Sequence, residues 1–128
     1  MSNKTIEGLY YSKNDEWVKK EGEIAIVGIT DYAQDQLGDI VYVEEIKKGV
    51  SINKGDVLST VESVKAVSDV YSPVTGEILE TNHDIMDDPS IINKEPFDKG
   101  WFAKIKISKP EELNEMMSAS EYSEYHKE

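Results

Sequence analysis

Hydrophobic residues in this chain fall in short runs punctuated by glycine, not in long stripes of helical period. Ile24-Ala25-Ile26-Val27-Gly28-Ile29 is apolar and β-branched and reads as a buried strand. Lys19-Lys20-Glu21-Gly22 before it reads as a turn, so a first hairpin forms around Gly22, with Trp17 and Val18 beginning the core. Gly38–Val43 and Glu77–Asn82 are further strands. From Trp101 to Ile107 the pattern alternates: Trp101, Ala103, Ile105 and Ile107 share one face, Lys104 and Lys106 the other. Between Gly55 and Gly76, Val57, Val61, Val67, Val70 and Tyr71 mark two strands that meet near Ser63–Ala66, with Lys65 at the tip. No Asn-Gly pair signals that turn, and the symmetry of the flanks places it. A short echo, Gly38-Asp39-Ile40-Val41 against Gly55-Asp56-Val57-Leu58, fits a fold assembled from similar hairpins.

Helical signals are brief. Thr30 caps a short helix with a modest apolar face of Tyr32, Ala33 and Leu37, stopped by Gly38. Asp88-Pro89 starts another, which turns Ile91 and Ile92 inward. Ser108 with Glu111, and Ser118 with Glu121, each have the spacing of a capping box. They predict a C-terminal helix broken near Ser118, with Met116 and Met117 as core filler and His126-Lys127-Glu128 frayed. The expected fold is mainly β: a sandwich or flattened β-barrel with short helices and a C-terminal helix. Residues 1–23 are expected to pack on a central domain of 24–106, followed by a helical segment of 107–128.

Composition narrows the chemistry. A chain of 128 residues fits one domain. The net charge of −12 makes nucleic acid and anionic membranes poor partners. No run approaches the roughly 18 apolar residues of a membrane span, and the first residues lack an apolar signal region; a bacterial, cytoplasmic protein is expected. The absence of cysteine excludes disulfides, thiolate metal sites and thiol nucleophiles, so any sulfur chemistry needs an added group. The histidines are His83, which reads as loop surface, and His126. No Ser-His-Asp order, phosphate loop or metal spacing stands out, so no catalytic or metal-binding residue is assigned and the chain is not expected to be an enzyme by itself.

An exposed lysine at a hairpin tip is ordinarily a solvated charge. Here Glu62-Ser63-Val64-Lys65-Ala66 lies between two glycines and resembles the attachment sequence of lipoyl domains. Val64 and Ala66 replace the methionines usual around a biotinyl lysine, which favours lipoate. The resemblance extends through Asp15-Glu16-Trp17-Val18, Val27-Gly28-Ile29-Thr30-Asp31-Tyr32-Ala33-Gln34, Leu37-Gly38-Asp39-Ile40-Val41, Val67-Ser68-Asp69, Ser72-Pro73-Val74-Thr75-Gly76 and Gly100-Trp101. In that order and spacing the chain resembles the H-protein family of the glycine cleavage system. Asp15 stands where the family commonly has histidine, and no role is carried over to it.

The resemblance implies a barrel-sandwich hybrid fold and one covalent lipoate on Lys65, attached by a lipoate-attaching enzyme. It implies a carrier of the aminomethyl group of glycine from the pyridoxal-phosphate decarboxylase (P protein) to the folate-dependent aminomethyltransferase (T protein), with reoxidation by dihydrolipoyl dehydrogenase (L protein). It also implies a sheltering cleft for the loaded arm, to which we assign Glu16 and Asp69 as acceptors for the amine. Glu62 and Asp69 are further candidates for reading by partners. A carrier of a 2-oxoacid dehydrogenase would ordinarily have linkers and an acyltransferase domain, whereas a lipoyl relay donating lipoate to such complexes is an alternative compatible with glycine cleavage.

Overall fold

A computed structural model describes residues 3–126. Among them are nine strands: β1 (Tyr10–Tyr11), β2 (Glu16–Glu21), β3 (Ile24–Ile29), β4 (Ile40–Val43), β5 (Ser51–Ile52), β6 (Val57–Ser63), β7 (Val67–Tyr71), β8 (Gly76–Thr81) and β9 (Ala103–Ile107). They form two antiparallel sheets, a six-stranded one in the order β1-β2-β3-β9-β8-β5 and a three-stranded one in the order β4-β6-β7. The mainly β architecture is as expected, with the two sheets not closed on each other.

The hairpins follow their turn chemistry. β2 and β3 pair from Glu21↔Ile24 to Glu16↔Ile29 across a turn in which Gly22 has φ 62°, a conformation that favours glycine. The echoed segments lead into β4 and β6, which are direct neighbours in the smaller sheet. Inward-facing residues of both sheets meet in one core that includes Val27, Val61, Val70, Ile78 and Ile105. Each fully buried side chain of this size contributes about 1.5–3 kcal/mol through apolar burial. A second cluster holds Tyr11, Trp17, Ala119 and Tyr122. There the Tyr11 and Tyr122 rings stack at 4.8 Å, and the Trp17 indole donates to the Pro96 carbonyl at 2.9 Å.

The helices are short. α1 (Asp31–Leu37) is capped by Thr30, whose hydroxyl accepts the Ala33 N–H, and ends at Gly38. α2 (Asp84–Asp87), which the sequence pattern did not single out, precedes α3 (Ser90–Lys94). Asp88 serves α3 as expected, accepting from the Ser90 N–H and hydroxyl, and Ile92 is buried while Ile91 is half-buried.

Three expectations at the C-terminal end need correction. The last strand begins at Ala103, not Trp101; Phe102 is the fully buried aromatic, and Trp101 is half-buried beside the second cluster with Lys104 Nζ 5.1 Å from its ring centroid. Ser108 and Glu111 form no capping box. The Ser108 hydroxyl donates to the Thr75 carbonyl, and Pro110 opens a 3₁₀ helix, Pro110–Glu115, in which Leu113 is buried. The box at Ser118 and Glu121 does form and starts α4 (Ala119–Tyr125). His126 is not frayed: its ring stacks on Tyr32 at a centroid distance of 3.8 Å. Lys127 and Glu128, expected to fray with it, lie outside the described residues.

Gly76 begins β8 where it crosses β9 most closely. A Cβ there would lie 1.9 Å from the Lys106 carbonyl oxygen, which is backbone and cannot turn aside. Gly76→Ala should therefore lower stability by about 3 kcal/mol, read as a shifted denaturant midpoint; an unchanged midpoint would refute the close approach.

Candidate functional site

The β6–β7 hairpin closes through a serine instead of the Asn-Gly turn that the sequence lacks. The Ser63 hydroxyl oxygen accepts the Ala66 N–H at 3.0 Å and the Lys65 N–H at 3.3 Å, while the Ser63 N–H donates to the Ala66 carbonyl at 2.8 Å. The Val64 N–H donates to the Asp39 carbonyl, tying the tip to the segment that follows α1. Lys65 is thus exposed on a braced turn, as expected, between the exposed Val64 and Ala66. Its aliphatic stem crosses the end of α1: a Cβ on Gly38 would meet Lys65 Cε at 3.4 Å. The lysine leans toward α1 instead of standing free in solvent.

Beside α1 lies a cleft of about 160 Å³. Ile29, Ala33, Leu37 and Val70 give it apolar walls, and Asp15, Glu16 and Asp69 line it with carboxyl groups. The two residues assigned to a sheltering cleft, Glu16 and Asp69, therefore line one cavity. Asp69 is exposed and accepts from the Thr60 hydroxyl at 3.1 Å. Glu16 is buried. It accepts from the Ser12 hydroxyl at 2.6 Å and from the Tyr71 N–H at 3.2 Å, so one carboxyl group joins β2 of the large sheet to β7 of the small one. It also borders a second cavity, of about 300 Å³, next to Met116 and Met117. Burial drives the Glu16 carboxyl up to about 7, against the opposing pull of the Ser12 and Tyr71 hydrogen bonds, with the nearby Asp15 adding a smaller upward push. Glu62 is exposed on β6, opposite Val67 on one side and Tyr42 on the other.

Sequence reasoning missed the surroundings of Asp15. This residue has φ 68°, rare for a side chain other than glycine. Its carbonyl accepts the Thr30 N–H at 3.0 Å. Its Oδ1 accepts from the Tyr122 hydroxyl at 2.8 Å and from His126 Nε2 at 2.6 Å. Ser12 was missed as well, although it stands one turn's length before Glu16; nothing local in the sequence says that the loop folds back. A cleft with one apolar wall and carboxyl groups on the other suits an apolar arm ending in a cationic amine. Among the described residues there is no group of metal-ligand type and no helix long and apolar enough to cross a membrane.

Residues 9–128 match the family model described as glycine cleavage H-protein. The chain belongs to that family. It is 52% identical over 120 residues to the glycine cleavage system H protein of Thermoanaerobacter pseudethanolicus, covering 94% of each chain. It is 48% identical over 120 residues to the mitochondrial H protein of Pisum sativum, covering 94% of this chain and 73% of that one. The crystal structure of the H protein from Mycobacterium marinum superposes with a TM-score of 0.87 at 31% identity, covering 94% of this chain and 98% of that one. The H-protein family is the non-catalytic lipoyl carrier of the glycine cleavage system, in agreement with the expected carrier role.

The raised Glu16 carboxyl has a consequence for the chain's stability. The folded state holds that proton more tightly than the unfolded chain, whose carboxyl sits near 4.5. The contribution is fully present below about 4.5 and is lost as the pH rises through about 7. Unfolding free energy should fall across that window by an amount on the order of 3 kcal/mol from this group. Glu16→Gln should flatten the slope, and parallel pH profiles of the two proteins would show that the carboxyl is not held protonated.

Proposed function

We propose that Lys65 is the residue that carries lipoate and that this chain serves the glycine cleavage cycle with the P, T and L proteins as partners in the cytoplasm. The observation that carries this reading is the braced hairpin tip, which exposes the lysine amine to an attaching enzyme while its stem lies against Gly38 at the end of α1. The lipoyl group, when attached, supplies the sulfur chemistry that takes up an aminomethyl group and is afterwards reoxidised. The chain's own residues do the rest. The Ser63 hydroxyl and the Val64–Asp39 bond hold the tip in one place, so that the attachment point is presented and not scattered. Amide formation removes the Lys65 charge and leaves a tip flanked by uncharged Val64 and Ala66. Ile29, Ala33, Leu37 and Val70 exclude water from the cleft, and the Glu16 and Asp69 carboxylates accept from the amine of the loaded carrier.

Tethering explains why docking needs only to be brief. A short flexible tether gives an effective concentration on the order of millimolar at a docked site. One carrier can then visit several enzymes without tight affinity for any. The acidic surface favours partners with basic rims and gives encounter rates that fall with salt.

The attachment site is tested by the intact mass of the chain purified from its native cells, beside Lys65→Arg. A gain of one lipoyl amide in the parent and none in the variant is expected; modification that persists in the variant would move the site elsewhere. For the cleft, Glu16→Ala and Asp69→Ala should each speed the decay of the isolated loaded form about tenfold, the worth of one charge-assisted hydrogen bond. An unchanged decay rate in both would refute the assignment of the two carboxylates.

A further inference from the structure

At the outer end of the cleft, the last helix reaches back across the whole sequence to the loop that carries Glu16. Tyr122 of α4 gives its single proton to Asp15 Oδ1, so the Thr30 hydroxyl must donate to the Tyr122 oxygen at 2.7 Å. Just beyond α4, His126 Nε2 lies 2.6 Å from the same Asp15 oxygen and therefore carries a proton. The imidazole is fixed by stacking on Tyr32 of α1 at 3.8 Å and by edge contacts with Tyr122 and Tyr125. Asp15 is half-buried, and both of these donors converge on one of its two carboxylate oxygens.

This arrangement offsets a strained backbone. A non-glycine residue at φ 68° is strained relative to an ordinary conformation. The conformation turns the chain between Ser12 and Glu16 so that the Ser12 hydroxyl meets the Glu16 carboxyl and also accepts the Glu16 N–H at 3.0 Å.

We propose that His126, with Tyr122, is a positioning residue for the arm cleft: by clamping Asp15 it holds the 12–16 loop so that Glu16 faces the amine of the loaded carrier. This rests on the reading of the cleft given above. The C-terminal segment then does more than cover the core, because it sets the lifetime of the loaded state without touching the arm.

Five chains test this: the parent, His126→Ala, His126→Gln (which keeps an N–H donor), Glu16→Ala, and His126→Ala combined with Glu16→Ala. His126→Ala should shorten the lifetime of the isolated loaded form on the order of threefold to tenfold, and His126→Gln should restore it to within about twofold. Because His126 acts through Glu16, adding His126→Ala to Glu16→Ala should cause no further loss. In the chain without lipoate, His126→Ala should speed amide hydrogen exchange at Glu16 and Thr30 and leave the amides of β9 unchanged. Parent-like decay in His126→Ala, alongside faster decay in Glu16→Ala, would overturn this inference and leave the cleft reading standing. Parent-like decay in both would overturn the two together. Additive losses, or exchange that rises equally in β9, would reduce His126 to a general structural role and also overturn it.

Discussion

A carboxyl group that is only 2% exposed is costly to a fold unless its oxygens are met by donors. Glu16 is met from both sides, by Ser12 in the loop before β2 and by the Tyr71 N–H of β7. That pairing is what joins β2 of the larger sheet to the strand leaving the lysine hairpin. Removing the carboxyl would leave the half-buried Ser12 hydroxyl and the Tyr71 N–H without that acceptor. The lysine hairpin is thus tied to the larger sheet through Glu16 and to the segment after α1 through the Val64–Asp39 bond.

The elements that could be read from the sequence are those whose cause is local. Gly22 makes its turn by its own backbone freedom, Thr30 caps α1 with its own hydroxyl, and β9 alternates because each residue chooses a face by position alone. The stretch around Lys65 that resembles a lipoyl attachment sequence is likewise contiguous. What could not be read depends on partners far away along the chain. The box expected at Ser108 fails because its hydroxyl is taken by the Thr75 carbonyl and because Pro110 favours a tighter start. His126 was expected to fray, since fraying is the default for a chain end, and only its pairing with Asp15 and stacking on Tyr32 reverse that. Trp101 seemed to belong to a strand face because alternation continues through it, but its ring lies with a second aromatic cluster that the strand pattern does not describe.

That second cluster explains how so small a fold fixes a long-range cleft. Tyr11 stacks on Tyr122, so α4 is anchored on β1 before its last residues reach Asp15. The Tyr11 hydroxyl both donates to and accepts from the backbone of Ile6, which ties the beginning of the described chain to the same cluster. Burial raises the Tyr11 and Tyr122 hydroxyls above their ordinary value, so both keep their protons and remain donors at any physiological pH. The clamp on Asp15 is consequently insensitive to the tyrosines' own titration.

A carrier must hold its cargo firmly enough to delay loss and loosely enough to release it to the next enzyme. A carboxyl group fully ionised at neutral pH would bind a cationic amine with the whole of its charge. Glu16, pushed up to about 7 by burial, does not. Near neutrality part of the attraction to an amine is consumed in ionising the buried group, and the net hold is weakened by that amount. Asp69, exposed at the same cleft, is screened by solvent. On the proposed reading, two carboxylates with opposite handicaps give a grip that is cooperative in geometry and modest in energy, which is what repeated transfer among partners requires.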